Sequence, residues 1–285
     1  MNYIFFGGRD SPFAQIILDG LKSAGWQPMA EFRDAKAPID LKKLKALGAD
    51  FFLVAAFGKI LKKDVLNINK VTDPNNPIPV IGVHPSLLPR LRGPSPIQST
   101  LLNDEKQTGV TLFLIDEKVD HGPVISYKSL VISDKDNYQS LEKKLAELSV
   151  NLILETMPKY LAGEIKPQPQ DEPQATYTKK FTTEDAKVNL KTDDPKQIWL
   201  KIRALNPEPG TYTILTLKNG KTLRLKLLET ELSPISPTRG ERSRTIGLIL
   251  KKVQPEGKRP MTPQSFLNGY QKFLDQETIE RLTDS

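Results

Sequence analysis

The sequence predicts an α/β protein: a Rossmann-like, mostly parallel sheet with helices on both faces, followed by a smaller, mainly β C-terminal domain that reads as an OB-like barrel. Three observations carry this. Near-continuous apolar runs (YIFF at 3–6, FFLVAAF at 51–57, then 79–83 and 110–115) alternate with helical or loop segments, as strands do when helices cover both their faces. A stretch rich in proline and glutamine, KPQPQDEPQ from Lys166, breaks that rhythm and has the composition of a linker. Past it, Asn219-Gly220 sits between two strand-like runs, a strong hairpin signal. The expected organisation is residues 1–165 as one domain, a linker at 166–190, and residues 191–285 as a second domain.

The elements follow in order. After the first strand, Gly7-Gly8 marks a tight turn into a helix at 12–24, with Pro12 in its first turn and Ser11 as N-cap. GGRDSPF lacks the G-x-G-x-x-G spacing of a dinucleotide site. The longest helical pattern is 138–161, where Leu141, Leu145, Leu148, Leu152 and Met157 recur at core spacing, a packing stripe rather than a cofactor box. Another helix is expected at 195–205. Strands at 211–217 and 222–232 flank the Asn-Gly turn, and a third at 245–253 follows the loop SPISPTRGERSR.

Composition excludes several classes. The chain has no cysteine and two histidines, so it has no disulfide framework and no thiol nucleophile, and a dedicated zinc site is not expected. No stretch approaches 18 apolar residues and the N-terminal run MNYIFFGGRDSPF has no basic n-region, so the expectation is a cytoplasmic protein with no membrane partner, monomeric by default. Positive charge is uneven: residues 191–285 hold 17 lysines and arginines against 11 acidic residues, while the rest of the chain holds 24 against 23. A basic second domain beside a nearly neutral first one points to a polyanionic partner for the former.

Chemistry concentrates in two runs, VIGVHPSLLPRLRGPSPIQ at 80–98 and GVTLFLIDEKVDHG at 109–122. Each is an apolar strand opening into a loop, where α/β folds place ligands beyond the carboxyl ends of parallel strands. His84 and Asp120 lie at or just past such ends. A carboxylate near an imidazole fixes its tautomer and favours its charged form, which suits general acid–base work. The residues alone leave open whether His84 and Asp120 form such a pair or are a capping histidine and a turn aspartate.

The same two runs resemble the signature of the 10-formyltetrahydrofolate-dependent formyltransferases. The run VQPEGKRPMTPQSFLNGY at 253–270, Tyr177-Thr178-Lys179, and IRALNP at 202–207 are similar to those members that act on methionyl-tRNA. The resemblance covers essentially the whole chain. It implies transfer of the formyl group of 10-formyltetrahydrofolate to the α-amino group of methionyl initiator tRNA, through a tetrahedral species carrying oxyanion charge. It implies that His84 and Asp120 manage the protons, that Ser86, Leu87, Leu88 and Pro89 contact the folate, that no metal is used, and that the basic second domain holds the tRNA. An amino-sugar N-formyltransferase would share the first two runs but would need no basic second domain.

Two departures from the family pattern stand out. The family's Asn-x-His is Gly82-Val83-His84 here, so the asparagine that would donate to the formyl oxygen is missing. Losing one oxyanion donor costs about 10²–10³ in rate. The chain is then an active-site variant, an impaired homologue that still binds tRNA and folate, or an enzyme with a substitute donor, His121 being the first candidate. On this reading, asparagine at position 82 raises formylation by at least about tenfold. The family's long basic insertion after the second strand is also absent, since residues 33–40 run RDAKAPID. Arg33, Lys36, Arg90 and Arg92 are the candidate tRNA contacts near the cleft.

Overall fold

In the computed structural model, which describes residues 1–59, 61–68, 78–235 and 245–283, the first apolar run forms β1 (Tyr3–Gly7), buried at every position. There follow α1 (Pro12–Ser23), β2 (Ala30–Phe32), α2 (Leu41–Ala46), β3 (Phe51–Ala55), α3 (Lys63–Leu66), β4 (Val80–His84), α4 (Pro96–Leu102), β5 (Gln107–Leu114), β6 (Val124–Val131) and α5 (Tyr138–Leu161). The Ser11 hydroxyl caps α1 by accepting from the Ala14 amide at 3.2 Å, and Pro12 opens the helix. One six-stranded sheet runs in the order β2-β1-β3-β4-β5-β6. Phe6 of β1 is fully buried, stacked on Phe32 at 4.8 Å and packed against Phe52 and Phe57. Fully burying one such ring contributes about 1.5–3 kcal/mol.

The first four strands are parallel, as expected, but β5 pairs antiparallel with β4 and β6 antiparallel with β5. This changes how the second motif reaches the site. The carboxyl end of β5, Leu114, pairs with Ile81 near the start of β4, while Thr111 pairs with His84. Asp120 therefore does not stand at the end of a parallel strand. The loop at 115–123 has to bring it back to the His84 end.

The chain divides into two compact units, the first comprising Met1–Ile97, Glu105–Asp134 and Gln139–Lys179, the second comprising Gln98–Asp104, Lys135–Tyr138 and the chain from Lys180 onward. The stretch 166–190, expected as a linker, is thus shared between them. Gln168 exchanges two main-chain bonds of 2.8 Å with Val124, and Tyr177 bridges to Arg92. Proline-rich composition here marks chain bonded to the edge strand at Gln168 and then turned through a short 3-10 helix at Glu172–Gln174, rather than free chain. Val188 and Leu190, by contrast, join the core of the second unit.

That unit contains α6 (Pro195–Leu205), β7 (Tyr212–Thr216), β8 (Thr222–Ile235), β9 (Thr245–Pro255), α7 (Pro263–Tyr270) and α8 (Gln276–Thr283). The three strands form the antiparallel sheet announced by Asn219-Gly220, with Gly220 at φ 79 in the turn. Asp194 caps α6, accepting from the Gln197 amide at 3.0 Å. Ile198, Ile202, Leu225, Leu227, Val253 and Phe266 make the core. Residues 236–244 of the loop before β9 lie outside the described residues.

Candidate functional site

β4 delivers His84 to the end of the sheet, 5% exposed. Its Nε2 lies 2.9 Å from the Leu91 carbonyl and its Nδ1 lies 3.5 Å from Oδ2 of Asp120. A carbonyl only accepts, so the Leu91 contact places the proton of the neutral ring on Nε2. Nδ1 is then the unprotonated nitrogen of the neutral ring, and it faces the carboxylate. The pair that the sequence left open is thus brought together.

Asp120 sits at φ 47, in the left-handed region that aspartate tolerates better than most residues. Its Oδ2 also accepts the Gly93 amide at 2.8 Å, and its carbonyl accepts Nε2 of Gln170 at 2.9 Å. Ser86, Leu87, Leu88 and Pro89 form a turn with a cis Leu88-Pro89 bond. The Ser86 hydroxyl donates to the Arg90 carbonyl at 2.7 Å, while the Thr111 hydroxyl donates to the Ser86 carbonyl at 2.7 Å and accepts the Leu88 amide at 3.1 Å. Internal bonding thus engages the Ser86 hydroxyl. Leu87, Leu88 and Pro89 are half-buried and form its apolar side.

Gly82 lies two residues before His84 on the same face of β4, opposite Phe113 of β5. A Cβ at position 82 would lie 2.3 Å from the Phe113 ring, which is itself buried and meets the His84 ring edge-on at 6.5 Å. The space an asparagine would need is occupied by an aromatic ring, so the simple gain expected from asparagine at 82 does not stand. His121 is no substitute donor either. Its Nδ1 lies 2.6 Å from Asp116 and its Nε2 lies 3.3 Å from Glu172, so both ring nitrogens are engaged by carboxylates.

The candidate arginines separate. Arg92 is a correction: it is fully buried and cannot reach a phosphate. Its guanidinium donates to Oε1 of Gln170, to both oxygens of Glu172 and to the Tyr177 hydroxyl. The Arg92 hydrogen bond holds the Glu172 carboxyl below its ordinary value, helped by the nearby charges of His121 and Lys118. Arg90 is exposed and paired with Glu105. Arg33 is half-buried over Phe5, with Nη2 donating to the Gly8 carbonyl and to Gln15. Lys36 stands in the turn capped by Asp34. Sequence reasoning missed Thr111, Phe113, Gln170 and Glu172, the last two because their composition read as linker. Among the described residues no group of histidines and carboxylates is arranged to hold a metal ion, and no helix is long and apolar enough to cross a membrane.

Residues 6–157 match the family model described as formyl transferase, and residues 180–271 match the model of the formyl transferase C-terminal domain. The methionyl-tRNA formyltransferase of Thermodesulfovibrio yellowstonii is 35% identical over 247 residues, covering 85% of this chain and 77% of its own length. That of Dictyoglomus thermophilum is 36% identical over 241 residues, covering 80% and 74%. Among solved structures, HypX from Aquifex aeolicus in complex with tetrahydrofolic acid superposes with a TM-score of 0.68 at 18% identity over 95% of this chain, which spans about half (48%) of HypX. Methionyl-tRNA formyltransferase from Clostridium thermocellum superposes at 0.59 with 20% identity, over 88% of this chain and 99% of its own. The last two likenesses concern the fold.

Proposed function

The chain belongs to the formyl transferase family, and from that premise we propose that it transfers the formyl group of 10-formyltetrahydrofolate to the α-amino group of methionyl initiator tRNA. The observation that supports this reading most is the His84–Asp120 pair, set at the end of β4 with one ring nitrogen tied down and the other turned to a carboxylate.

A folate-derived donor supplies the activated one-carbon unit; the residues of this chain handle position and protons. The apolar side of the turn, Leu87, Leu88 and Pro89, suits a flat ring system, whereas the engaged Ser86 hydroxyl leaves that residue a role in shaping the turn. Nδ1 of His84 accepts the proton of the attacking amine, since Nε2 is committed to Leu91. Asp120 then lies 3.5 Å from the imidazolium and steadies it. The bond from the formyl carbon to the folate nitrogen then breaks, that nitrogen takes up the proton as tetrahydrofolate leaves, and the Leu91 contact holds the ring in place throughout. Arg33 and Arg90, with the basic residues of the second unit, are the proposed contacts to tRNA phosphates.

Gly82 favours a second reading, in which the same ligands bind but turnover is low, because Phe113 occupies the place of an oxyanion donor. Methionyl initiator tRNA is incubated with the formyl donor, and both formyl-methionyl-tRNA and released tetrahydrofolate are followed. Product at a useful rate supports transfer. Binding of both ligands without product selects the second reading. Formylation of a nucleotide-linked amino sugar but not of the tRNA would overturn both.

A further inference from the structure

Asp120 arrives on a loop that returns from the far end of an antiparallel strand, and β5 holds the end of that loop, through the Leu114 amide that donates to the Pro123 carbonyl at 2.9 Å, without touching Asp120 itself. Residues 168–178 supply what β5 does not. The side-chain amide of Gln170 donates from Nε2 to the carbonyls of Asp120 at 2.9 Å and of Gly122 at 2.8 Å. Its Oε1 accepts Nε and Nη2 of Arg92 at 3.1 and 2.8 Å. Both donors and the acceptor of the amide are therefore used. A flipped amide would set oxygen against two carbonyls and nitrogen against a guanidinium, so the orientation is determined.

The same segment grips the chain on which His84 leans. The Leu91 amide donates to the Thr176 hydroxyl and the Arg92 amide to the Thr176 carbonyl, each at 2.8 Å. The Thr178 amide donates to the Arg92 carbonyl at 2.7 Å. Leu91 holds His84, and Gly93 holds the Asp120 carboxylate. A Cβ on Gly93, at φ 106, would lie only 3.0 Å from the Thr178 carbonyl oxygen, so the two strands of chain are in close contact.

We infer that Gln170 is a positioning residue: clamped by Arg92, its amide holds the Asp120 loop so that the carboxylate stands beside Nδ1 of His84. It touches no reacting atom. The inference rests on the proposed roles of His84 and Asp120, and goes beyond them by assigning a task to a residue in the apparent linker.

The test compares Gln170→Ala and Gln170→Glu in the full-length protein. Glutamate keeps the length and the contact to Arg92 but turns an oxygen toward two carbonyls, so it serves if the alanine variant fails to fold. Both variants are expected to lose about 10–100-fold in kcat, as a misplacement on the order of 1 Å does, with KM for both substrates unchanged within about twofold. Nitrogen NMR of the imidazole rings, assigned by comparison with His121→Gln because the chain has two histidines, should show the His84 ring resonances displaced. An unchanged kcat, a loss carried by KM, or His84 resonances that coincide with those of the unsubstituted protein would overturn the inference. The NMR comparison needs no substrate. If the unsubstituted protein transfers no formyl group, displaced resonances still uphold the positioning role while the functional reading falls, and coincident ones sink both.

Discussion

Position 82 shows most plainly how one residue's meaning depends on its neighbour across the sheet. As a string, Gly82-Val83-His84 reads as a lost side chain. In the fold it is half of a pair, a glycine roofed by the Phe113 ring. Gly82→Asn alone is therefore expected to destabilise the protein by about 1–3 kcal/mol through overpacking, with no gain in formylation. The gain should emerge only when Phe113→Leu makes room; a tenfold rise in the single variant at unchanged stability would refute this. His84→Ala should lower transfer by about 10²–10⁴-fold while the protein still folds, at a somewhat lower melting temperature because a buried, hydrogen-bonded ring is lost, and full activity would remove His84 from the chemistry. His84 stands at a strand end, as its place in the sequence suggests, whereas Asp120 reaches it by a returning loop, and in the sequence only the family resemblance paired the two. Phe113 could not be read from the sequence, because only the antiparallel register of β5 places it opposite Gly82.

At the level of elements, local chemistry was the reliable guide. Helices opened by a cap and a proline, α1 and α6, were legible to within a residue, as was the hairpin at Asn219-Gly220. The direction of β5 was not, since an apolar run reads the same whichever way it pairs. α8 escaped notice although Asp275 caps it, accepting the Thr278 amide at 2.8 Å. That bond, more than the ion pair with Lys191, holds the Asp275 carboxyl below its ordinary value of 3.8. A lowered carboxyl stabilises the folded state above its ordinary value and ceases to do so as pH falls through the lowered one. Lys191 is raised above 10.5 by Asp275 and Glu277, so its share is lost as pH rises through the raised value. Amide exchange in α8, corrected for intrinsic rates, should therefore show greatest protection at intermediate pH and loosen several-fold below about pH 4. A flat profile would deny the cap this role.

Across the whole molecule, the excess of positive charge beyond residue 190 is the feature that composition predicted and that sheets and helices do not explain. Phosphate contacts release counterions, so binding of methionyl initiator tRNA should weaken at least about tenfold between 50 and 200 mM salt, while affinity for the folate changes little. A salt-independent tRNA affinity would argue for a small-molecule acceptor. What composition concealed at this scale was residues 166–179, which bond to the first unit instead of hanging free.

That placement carries a consequence for the order in which the protein is made. Gln170 follows Asp120 by 50 residues and Arg92 by 78. Synthesis runs from the N-terminus, and early segments can pack as soon as they emerge. The strands of the sheet can thus assemble while His84 and Asp120 still lack the chain that sets their distance. The site is completed only by a piece of chain made well after the residues it serves.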